Sequence, residues 1–457
     1  MSSPSLNTIK NSNKSIVIRC PASYRPERKY VFDILFCDRF SIDYYLEDSQ
    51  SDSTIIALPS GKSISFPDVF FARDENEPFS CSDLPTTVQW IETSDDWKEE
   101  RFPVFYGVED YVDSSDVVLQ WDVIAVLFFC LARWEELLEY PRDAYDRFVG
   151  TDSFLVKQAI HMYPIVDYCE LYLRAIFTRL GLDTELGRTY RSISTHDVDI
   201  HRYYRAPTSL LTVALGDIVN RKNMTYAWWT LWTGIKNVFT SSDPWDNNAY
   251  MREQDKNHGA ESIFYYLPRK DKNAGASYHL TEDAVLREIR LLAEGQATIG
   301  AHPSLGTYRD AEAMANEVKV LRSVTGLPIV ESRQHFLQWH PIDTVDALEQ
   351  AGVELDSTMH FRRSPGFRSG TSVVYPLWNF RERRPSTVME RPLIFMDQNL
   401  HLHSGSVEIL LTEVEQLIAR TKAVDGSFVM LWHNSSFNHP EWKECQKYFV
   451  DILKKAA

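Results

Sequence analysis

The stretch SISTHDVDIHRYYR (residues 192–205) decides how the second half of the chain is interpreted. It begins with residues typical of a strand and ends in a polar turn. Asp197 and Asp199 stand two residues apart at this transition, and side chains two apart in a strand point to the same face. Two carboxylates on one face repel each other unless a cation or a proton lies between them. The stretch therefore indicates either the mouth of an active site or a plain acidic turn.

Strands and helices alternate downstream of this stretch. ESIFYYL (261–267) and ATIGAHPS (297–304) are predicted strands, and each is followed by a predicted helix, at 280–295 and 310–326. Further strands are predicted in IVESRQHFL (329–337), VELDST (353–358) and GSFVMLWHN (426–434), and further helices at 343–352 and 407–424. Such alternation is typical of an α/β fold, either a parallel sheet or a β/α barrel. The C-terminal ends of the strands are where chemistry gathers in both architectures.

The first part of the chain has a different pattern. Residues 14–120 are predicted to be β-rich, and two helices are predicted after them, at 121–140, ended by Pro141, and at 161–181. The predicted strands in this region are KSIVIRC (14–20), KYVFDILF (29–36), STIIAL (53–58) and SISFPDVFFA (63–72). We therefore expect a smaller mixed α+β domain over 1–185. A second domain is expected over 186–457, with a helical insertion at about 208–250.

The composition is that of an acidic globular protein. The net charge is −16, and the densest basic run is the short RERR (381–384), so no nucleic-acid partner is expected. The N-terminal residues lack the apolar centre of a signal peptide, and WDVIAVLFFCLARW (121–134) is too short to cross a bilayer. The six cysteines show no metal-binding spacing. These features predict a cytoplasmic protein with reduced thiols and no membrane span.

Polar residues stand at the C-terminal ends of five predicted strands. If the strands are parallel, these side chains converge at one edge of the sheet. The residues are Asp197 and Asp199, His302 and Ser304, Arg333 and His335, Asp356, and His433 and Asn434.

These residue types can support metal-assisted hydrolysis. One of the two aspartates can bind a metal while the other acts as a base. His302 and His335 offer imidazole nitrogens, which suit Zn, Ni, Co or Fe. Arg333 could hold the base in place, and His433 could protonate a leaving group. Together the residues suffice for cleavage of an amide or an ester.

The same segments resemble a known family. THDVD, GAHPS, SRQHF, LDST with GFRSG, and LWH occur in the order and spacing of the five motifs of the polysaccharide deacetylases, carbohydrate esterase family 4 of the NodB-homology type. The resemblance covers about 190–457, and the N-terminal part resembles the accessory domain of a bacterial subgroup. It implies a distorted β/α barrel of the glycoside hydrolase/deacetylase type. It also implies metal-dependent removal of N- or O-acetyl groups from a carbohydrate or a glycan precursor.

The resemblance also implies roles for individual residues. Asp197 would be the general base and Arg333 would brace it. Asp199 and His302 would bind the metal, and His433 would be the general acid. The cofactor would be a divalent metal, with Zn as the first choice and Ni, Co or Fe as alternatives.

Further residues are assigned less directly. Asp356 matches the fourth motif and is predicted to be catalytic. We expect the loop GFRSGT and the residues beside the other motifs to contact the substrate. The predicted substrate-binding residues are Ser304, Phe367, Arg368, Trp432 and Asn434.

The second motif departs from the family. The family carries another histidine four residues after the first, where this chain has Gly306. His335 is the predicted replacement ligand, and a water or Ser304 are the alternatives. The fourth motif also lacks its usual tryptophan. A second hypothesis is therefore a catalytically impaired relative that binds a glycan or a protein partner.

Overall fold

The computed structural model describes residues 15–93, 99–184, 186–204, 214–215, 218–219, 222–240, 243–270, 278–438 and 440–457. The chain forms two compact units. The first comprises Met1–Leu138 and Ile165–Arg188, and the second comprises Glu139–Pro164 and Thr189–Ala457. The domain boundary predicted at residues 185 and 186 stays a prediction.

The elements are numbered in chain order. The strands are β1 (Ile16–Cys20), β2 (Tyr44–Asp48), β3 (Ser53–Ala57), β4 (Ser63–Pro67), β5 (Gln89–Glu92), β6 (Arg101–Val104), β7 (Val117–Val118), β8 (Arg191–Val198), β9 (Glu261–Tyr266), β10 (Thr298–Ala301), β11 (Glu331–Ser332), β12 (Leu355–Asp356), β13 (Tyr375–Asn379), β14 (Arg384–Glu390), β15 (Phe395–Met396) and β16 (Ser427–Leu431). The α-helices are α1 (Arg25–Phe32), α2 (Val123–Ala132), α3 (Phe154–Lys157), α4 (Ile165–Arg179), α5 (Met224–Thr240), α6 (Asn248–Asn257), α7 (Asp283–Glu294), α8 (Ala311–Thr325), α9 (Asp343–Gln350), α10 (Asn399–Leu402), α11 (Val407–Ala423) and α12 (Lys447–Ala456).

The first unit is built on a five-stranded sheet. Its strands pair in the order β2-β1-β3-β4-β7, and β5 and β6 form a separate antiparallel pair. Helix α2 is buried along its whole length, which matches its continuous apolar sequence. The side chain of Asp122 begins this helix by accepting a hydrogen bond from the backbone N–H of Ala125 at 2.9 Å.

Two predictions for the first unit are wrong. KYVFDILF (29–36) is not a strand, because α1 covers its start and a π-helical turn, Asp33–Arg39, covers the rest. The helix predicted to run to Pro141 ends at Ala132, because Arg133 adopts a left-handed conformation with φ 54°. Arg133 then pairs with two fully buried carboxylates, those of Glu135 and Glu136, each at 3.0 Å.

The second unit contains a nine-stranded sheet, which confirms the α/β class and the parallel pairing. The strands pair in the order β13-β14-β12-β11-β10-β9-β8-β16-β15, and all neighbours are parallel except β13 and β14. In the part of the chain that the structure describes, the pairing leaves β13 and β15 as the two ends. Closure into a barrel stays a prediction.

Parallel pairing places several strand ends at one edge. The backbone hydrogen bonds continue one residue past the strands. His302 N–H donates to Tyr266 C=O, Arg333 N–H to Ala301 C=O, and Asp397 N–H to Leu431 C=O, each at 2.9 Å. The first residue after each of these strands is therefore fixed by the sheet itself.

An apolar cluster fills the space on one side of this sheet. It contains Ile193 of β8, Ile263 of β9, and Val429 and Leu431 of β16, all nearly inaccessible to solvent. Ile193 and Asp197 are four residues apart and share a face of β8. The Asp197 carboxylate therefore lies on the same face of the sheet as this apolar cluster, toward the C-terminal end of β8.

The helical insertion predicted at about 208–250 is described only in part. Helices α5 and α6 lie in this region, whereas 205–213, 216–217, 220–221 and 241–242 lie outside the described residues. Among the helices of the described residues, none is both long enough and apolar enough to cross a membrane.

Candidate active site

Three side chains at the edge of the second unit's sheet bring possible metal-ligating atoms together. His302 Nε2 lies 3.2 Å from Asp199 Oδ1, and His335 Nδ1 lies 3.4 Å from the same oxygen. The two ring nitrogens are 2.9 Å apart. Each of the three residues therefore offers one ligand atom, and these atoms all lie within 4.8 Å of one another.

The hydrogen bonds of His302 show that this cluster suits a cation. His302 Nδ1 lies 2.6 Å from the carbonyl oxygen of Arg333, and a carbonyl can only accept, so Nδ1 carries the proton. In the neutral ring, Nε2 then presents its lone pair to Asp199, whose Oδ1 is buried without a well-formed hydrogen bond. Lone pairs that face each other in this way need either a proton, such as one on His335 Nδ1, or a metal cation between them. A carboxylate with two imidazoles is a donor set typical of zinc and similar metals.

The charge state of Asp199 agrees with this interpretation. Burial by itself raises the pKa of its carboxyl group. The charge of His335 and the contacts with both imidazoles outweigh that effect and hold the pKa well below its usual range. Asp199 is therefore ionised at neutral pH, as a metal ligand must be.

His335 reaches the cluster through a strained turn. The turn His335–Leu337 includes Phe336 at φ 59° and ψ 12° and Leu337 at φ 55°, which are left-handed conformations that such residues rarely adopt. The backbone N–H of His335 donates to the carbonyl oxygen of Pro303 at 3.0 Å. Strain of this kind persists only where the surrounding contacts enforce it, and it is common at functional sites.

Gly306 lies in a second turn, which is hydrogen-bonded to Gln338 directly after the His335–Leu337 turn. Its φ is 91°, and its backbone N–H donates to Gln338 Oε1 at 2.7 Å. A side chain at position 306 would have to adopt a conformation that glycine favours. At the position of the missing histidine the chain therefore has a glycine turn, whereas the second imidazole of the cluster comes from His335.

Asp197 is held by a buried arginine. Arg333 is fully buried, and its Nη1 donates to Asp197 Oδ1 at 3.1 Å and to Thr195 Oγ1 at 2.7 Å. The other guanidinium nitrogens donate to the backbone oxygen and the hydroxyl of Ser357, at 2.8 and 2.9 Å. The second oxygen of Asp197, Oδ2, lies 3.8 Å from His302 Nε2. The arginine therefore fixes one carboxylate oxygen and leaves the other beside the possible metal cluster.

His433 is oriented by an aspartate that the sequence interpretation missed. Asp397 Oδ1 lies 2.9 Å from His433 Nδ1, and Asp397 Oδ2 accepts hydrogen bonds from the His433 backbone N–H at 2.8 Å and from Ser436 Oγ at 2.5 Å. His433 Nε2 points the other way, 3.8 Å from Asp199 Oδ2. Burial lowers the pKa of His433, but Asp397, Asp199 and Asp197 outweigh it and raise the pKa to about 10.

These groups share one cavity of about 110 Å³. Five of the predicted site residues line it together, and Arg333 lies directly behind Asp197. The lining residues are Arg147, Asp197, Asp199, His302, His335, Phe336, Leu337, Arg362, Met396, Gln398, Leu431 and His433.

Asp356 has a different environment from the one predicted. It is fully buried, accepts a hydrogen bond from Ser332 Oγ at 2.6 Å, and lies beside the equally buried Glu390. Burial raises the pKa of Asp356. Burial and the charge of Asp356 raise the pKa of Glu390 well above its usual value. Asp356 is outside the cavity lining and forms part of a buried carboxyl pair.

The predicted substrate-binding residues are dispersed. Ser304 and Phe367 are buried, and their backbone N–H groups donate to Glu317 Oε2 and to the carbonyl oxygen of His161. Trp432 packs against Phe437 and Phe449. None of the three is in the lining that the structure describes for the 110 Å³ cavity.

The other two predicted substrate-binding residues are Asn434 and Arg368. Asn434 Nδ2 donates to the carbonyl oxygens of Ile200 and Trp245, at 2.8 and 2.9 Å, and so joins two loops. Arg368 lines a second, larger cavity. Their contact with a substrate stays a prediction.

Three residues near the site were absent from the sequence interpretation. Asp397 ends the strand-like run LIFMD, so the rule of polar residues at strand ends could have found it. Arg147 and Arg362 lie in loops that carry no motif. No local pattern points to them.

Comparisons with known proteins add little. A family of unknown function, DUF7033, matches residues 16–181. No curated protein matches the sequence.

Several solved structures show a weak likeness. A putative polysaccharide deacetylase from Mycobacterium smegmatis has a TM-score of 0.36 at 17% identity, over 59% of this chain and 85% of that one. A mutant CE4-family pseudoenzyme with restored enzymatic activity has a TM-score of 0.25 at 10% identity, over 58% and 62%. A GH57 branching enzyme from Thermococcus kodakaraensis has a TM-score of 0.31 at 10% identity, over 59% and 67%. Likenesses this weak carry no conclusion about what the chain binds or does.

Proposed function

We propose that this protein is a metal-dependent hydrolase that removes an N- or O-acetyl group from a carbohydrate or a glycan precursor. One observation carries the proposal. An arginine-held carboxylate, Asp197, and an aspartate-held imidazole, His433, line one small cavity around the cluster of Asp199, His302 and His335. A base, an acid and a cation site in one cavity are the groups that metal-assisted acyl hydrolysis uses.

The metal would be held by Asp199, His302 and His335. When bound, a divalent cation such as zinc would polarise the acyl oxygen and make a water molecule more acidic. His302 is already oriented for this role, because the carbonyl oxygen of Arg333 holds the proton on Nδ1 and leaves Nε2 for the cation.

Asp197 and His433 would move the protons. Asp197 Oδ2 faces the cluster and would accept a proton from the attacking water, while Arg333 keeps Oδ1 occupied. His433 is protonated at neutral pH because its pKa is raised, and its Nε2 points into the cavity. It would donate that proton to the leaving nitrogen or oxygen, and Asp397 would stabilise the imidazolium before transfer.

Metal analysis of the purified chain tests the cation site. We expect one divalent metal per chain, lost in Asp199→Ala and strongly reduced in His335→Ala. The exposed Asp451→Ala and His279→Ala should retain it. Unchanged metal content in His335→Ala would show that the replacement ligand is something else.

Acetate release from acetylated sugars tests the reaction. We expect metal-dependent release, and we expect Asp197→Asn to lower kcat/KM by about 10²–10⁴-fold, the usual contribution of a general base.

The glycine turn at Gly306 favours the second candidate, a catalytically impaired binder. If the chain neither binds metal nor releases acetate, the result would support the catalytically impaired binder instead.

A further inference from the structure

A larger cavity lies next to the candidate active site. Its volume is about 420 Å³, within the range of small-molecule sites, roughly 300–1,000 Å³. Arg147, Leu337 and Arg362 line both this cavity and the 110 Å³ cavity. The two spaces are therefore neighbours, and a ligand whose acetyl group enters the smaller one would extend into the larger one.

The lining of the larger cavity is strongly basic. Arg147, Arg362, Arg363 and Arg368 line it, whereas Asp143 is the one acidic side chain among the described residues of the lining. Asp143 is already paired with Arg147, Oδ2 to Nη2, at 2.7 Å. Such a concentration of arginine is unexpected in a chain with a net charge of −16.

Two of these arginines differ from Arg147 and Arg368 in their contacts. Within the described residues, the guanidinium groups of Arg362 and Arg363 form no hydrogen bond or ion pair with another residue. Burial and the charges of Arg147 and Arg363 lower the pKa of Arg362, and the charge of Asp143 offsets them only in part. Burial also lowers the pKa of His360 to about 4, so this lining imidazole is neutral at neutral pH.

Two of the four arginines, Arg147 and Arg368, are held in place by contacts with the protein. Arg147 Nη1 donates to the carbonyl oxygen of Phe336 at 2.9 Å, and the Phe336 ring stacks on Tyr145 with ring centres 4.3 Å apart. Arg368 is buried, and its Nη1 donates to the carbonyl oxygen of His360 at 3.0 Å. The loop of Arg147 is thus tied to the turn that carries His335. Arg147 and Arg368 therefore do not need to be organised by a ligand.

We propose that the 420 Å³ cavity binds an anionic group, a carboxylate or a phosphate, on the sugar whose acetyl group enters the site. This inference rests on the proposed function for the identity of the ligand as an acetylated sugar. Unpaired guanidinium groups are suited to carboxylate and phosphate, which they bind through paired hydrogen bonds. The substrate class is therefore an acidic acetylated saccharide.

Binding can be measured without turnover. The full-length Asp197→Asn chain would be titrated, by ligand-observed NMR, with neutral N-acetylglucosamine, with N-acetylmuramic acid, and with a phosphorylated N-acetylglucosamine. We expect at least one acidic sugar to bind about tenfold or more tightly than the neutral one. The two acidic probes distinguish a carboxylate site from a phosphate site. Added salt should weaken only the acidic sugars.

Charge-neutralising variants locate the site. Arg362→Gln should remove most of the preference for the acidic sugar, and the exposed Arg363→Gln should reduce it if the first variant folds poorly. Arg290→Gln, an equal charge change at an exposed position of α7, should keep it. Equal affinity for neutral and acidic sugars, or an equal loss in Arg290→Gln, would overturn the inference.

The outcome separates this inference from the proposed function. Arginine-dependent binding of an acidic sugar without acetate release would leave the anion site standing and contradict the hydrolase. Acetate release with the same kcat/KM for neutral and acidic sugars, unaffected by Arg362→Gln, would leave the hydrolase standing and contradict the anion site.

Discussion

Asp397 controls the imidazole of His433 through a direct contact. Its carboxylate lies 2.9 Å from Nδ1, and its second oxygen accepts the backbone N–H of the same residue. The contact with Nδ1 favours the charged imidazole, and the charge of Asp397 is the largest contribution that raises the pKa of His433 to about 10. Asp397 is therefore a positioning residue that acts through His433.

Asp397→Asn should move the alkaline limb of the pH profile to lower pH. A general acid works only while protonated, so activity is lost as the pH rises through its pKa. Removing the charge of Asp397 lowers the pKa of His433, and the loss then begins at lower pH. The measurement is kcat/KM against pH for an acetylated sugar. A variant with lower activity but an unshifted alkaline limb would contradict this role.

His196 lies on the opposite face of β8 from Asp197 and has a structural environment. It is fully buried, its Nδ1 lies 2.9 Å from the carbonyl oxygen of Trp432, and its Nε2 lies 2.9 Å from Asp255 Oδ2. His196→Gln should weaken both contacts and cost about 1–3 kcal/mol of unfolding free energy. Urea denaturation measures this cost, with the exposed His279→Gln as control. Metal content per folded chain should not change.

In the turn at Gly306, the backbone conformation limits which residue types can occupy position 306. Its φ of 91° is costly for any residue with a Cβ, although nothing lies within 4 Å of where a Cβ would be. Gly306→Ala should therefore destabilise the chain by about 1 kcal/mol through backbone strain alone. Gly187→Ala is the matched control, because its Cβ position is equally open and its φ is not positive. Equal thermal midpoints for the two variants would contradict this account.

Strongly periodic elements could be predicted from the sequence, and short apolar runs could not. Helices α7, α8 and α11 and strands β8, β9 and β16 lie where their patterns indicate. KYVFDILF is apolar nearly throughout, so its period does not distinguish a strand from a buried helix. The preceding Pro26 and Glu27 are typical of a helix start, and they were the better signal.

The candidate site was predictable only where it follows strands. Asp197, Asp199, His302 and His433 come together because parallel pairing fixes the strand ends that carry them, whereas His335 enters through the strained turn after β11. Arg147 and Arg362 could not be predicted, because loops reach the site through tertiary contacts that leave no periodic signal.

At the scale of the whole second unit, a buried carboxyl pair ties stability to pH. Asp356 and Glu390 are both fully inaccessible to solvent. The charge of Asp356 makes ionisation of Glu390 unfavourable, whereas the hydrogen bond from Glu390 favours the ionised form of Asp356. Glu390 Oε1 accepts the backbone N–H of Met359 at 3.0 Å, whereas Asp356 accepts hydrogen bonds from Ser332 and Thr358. Glu390, with a pKa well above its usual value, is therefore the member that keeps its proton.

The pair should cost the protein stability as the pH rises. In the folded state the pKa of Glu390 is raised above its ordinary value of 4.5. The protonated Glu390 therefore contributes its full stabilisation of the folded state below pH 4.5. This contribution is lost as the pH rises through the pKa of Glu390 in the folded protein. Glu390→Gln cannot ionise, and its amide can replace both the proton donated to Asp356 and the oxygen that accepts from Met359. Relative to the unmodified chain, the unfolding free energy of this variant should rise by about 1.4 kcal/mol for each pH unit between pH 4.5 and the folded pKa of Glu390.

Urea denaturation from about pH 5 to about pH 8 measures this difference in unfolding free energy. The exposed Glu294→Gln should show no such trend. A constant difference between Glu390→Gln and the unmodified chain would mean that the pair ionises fully in the folded protein.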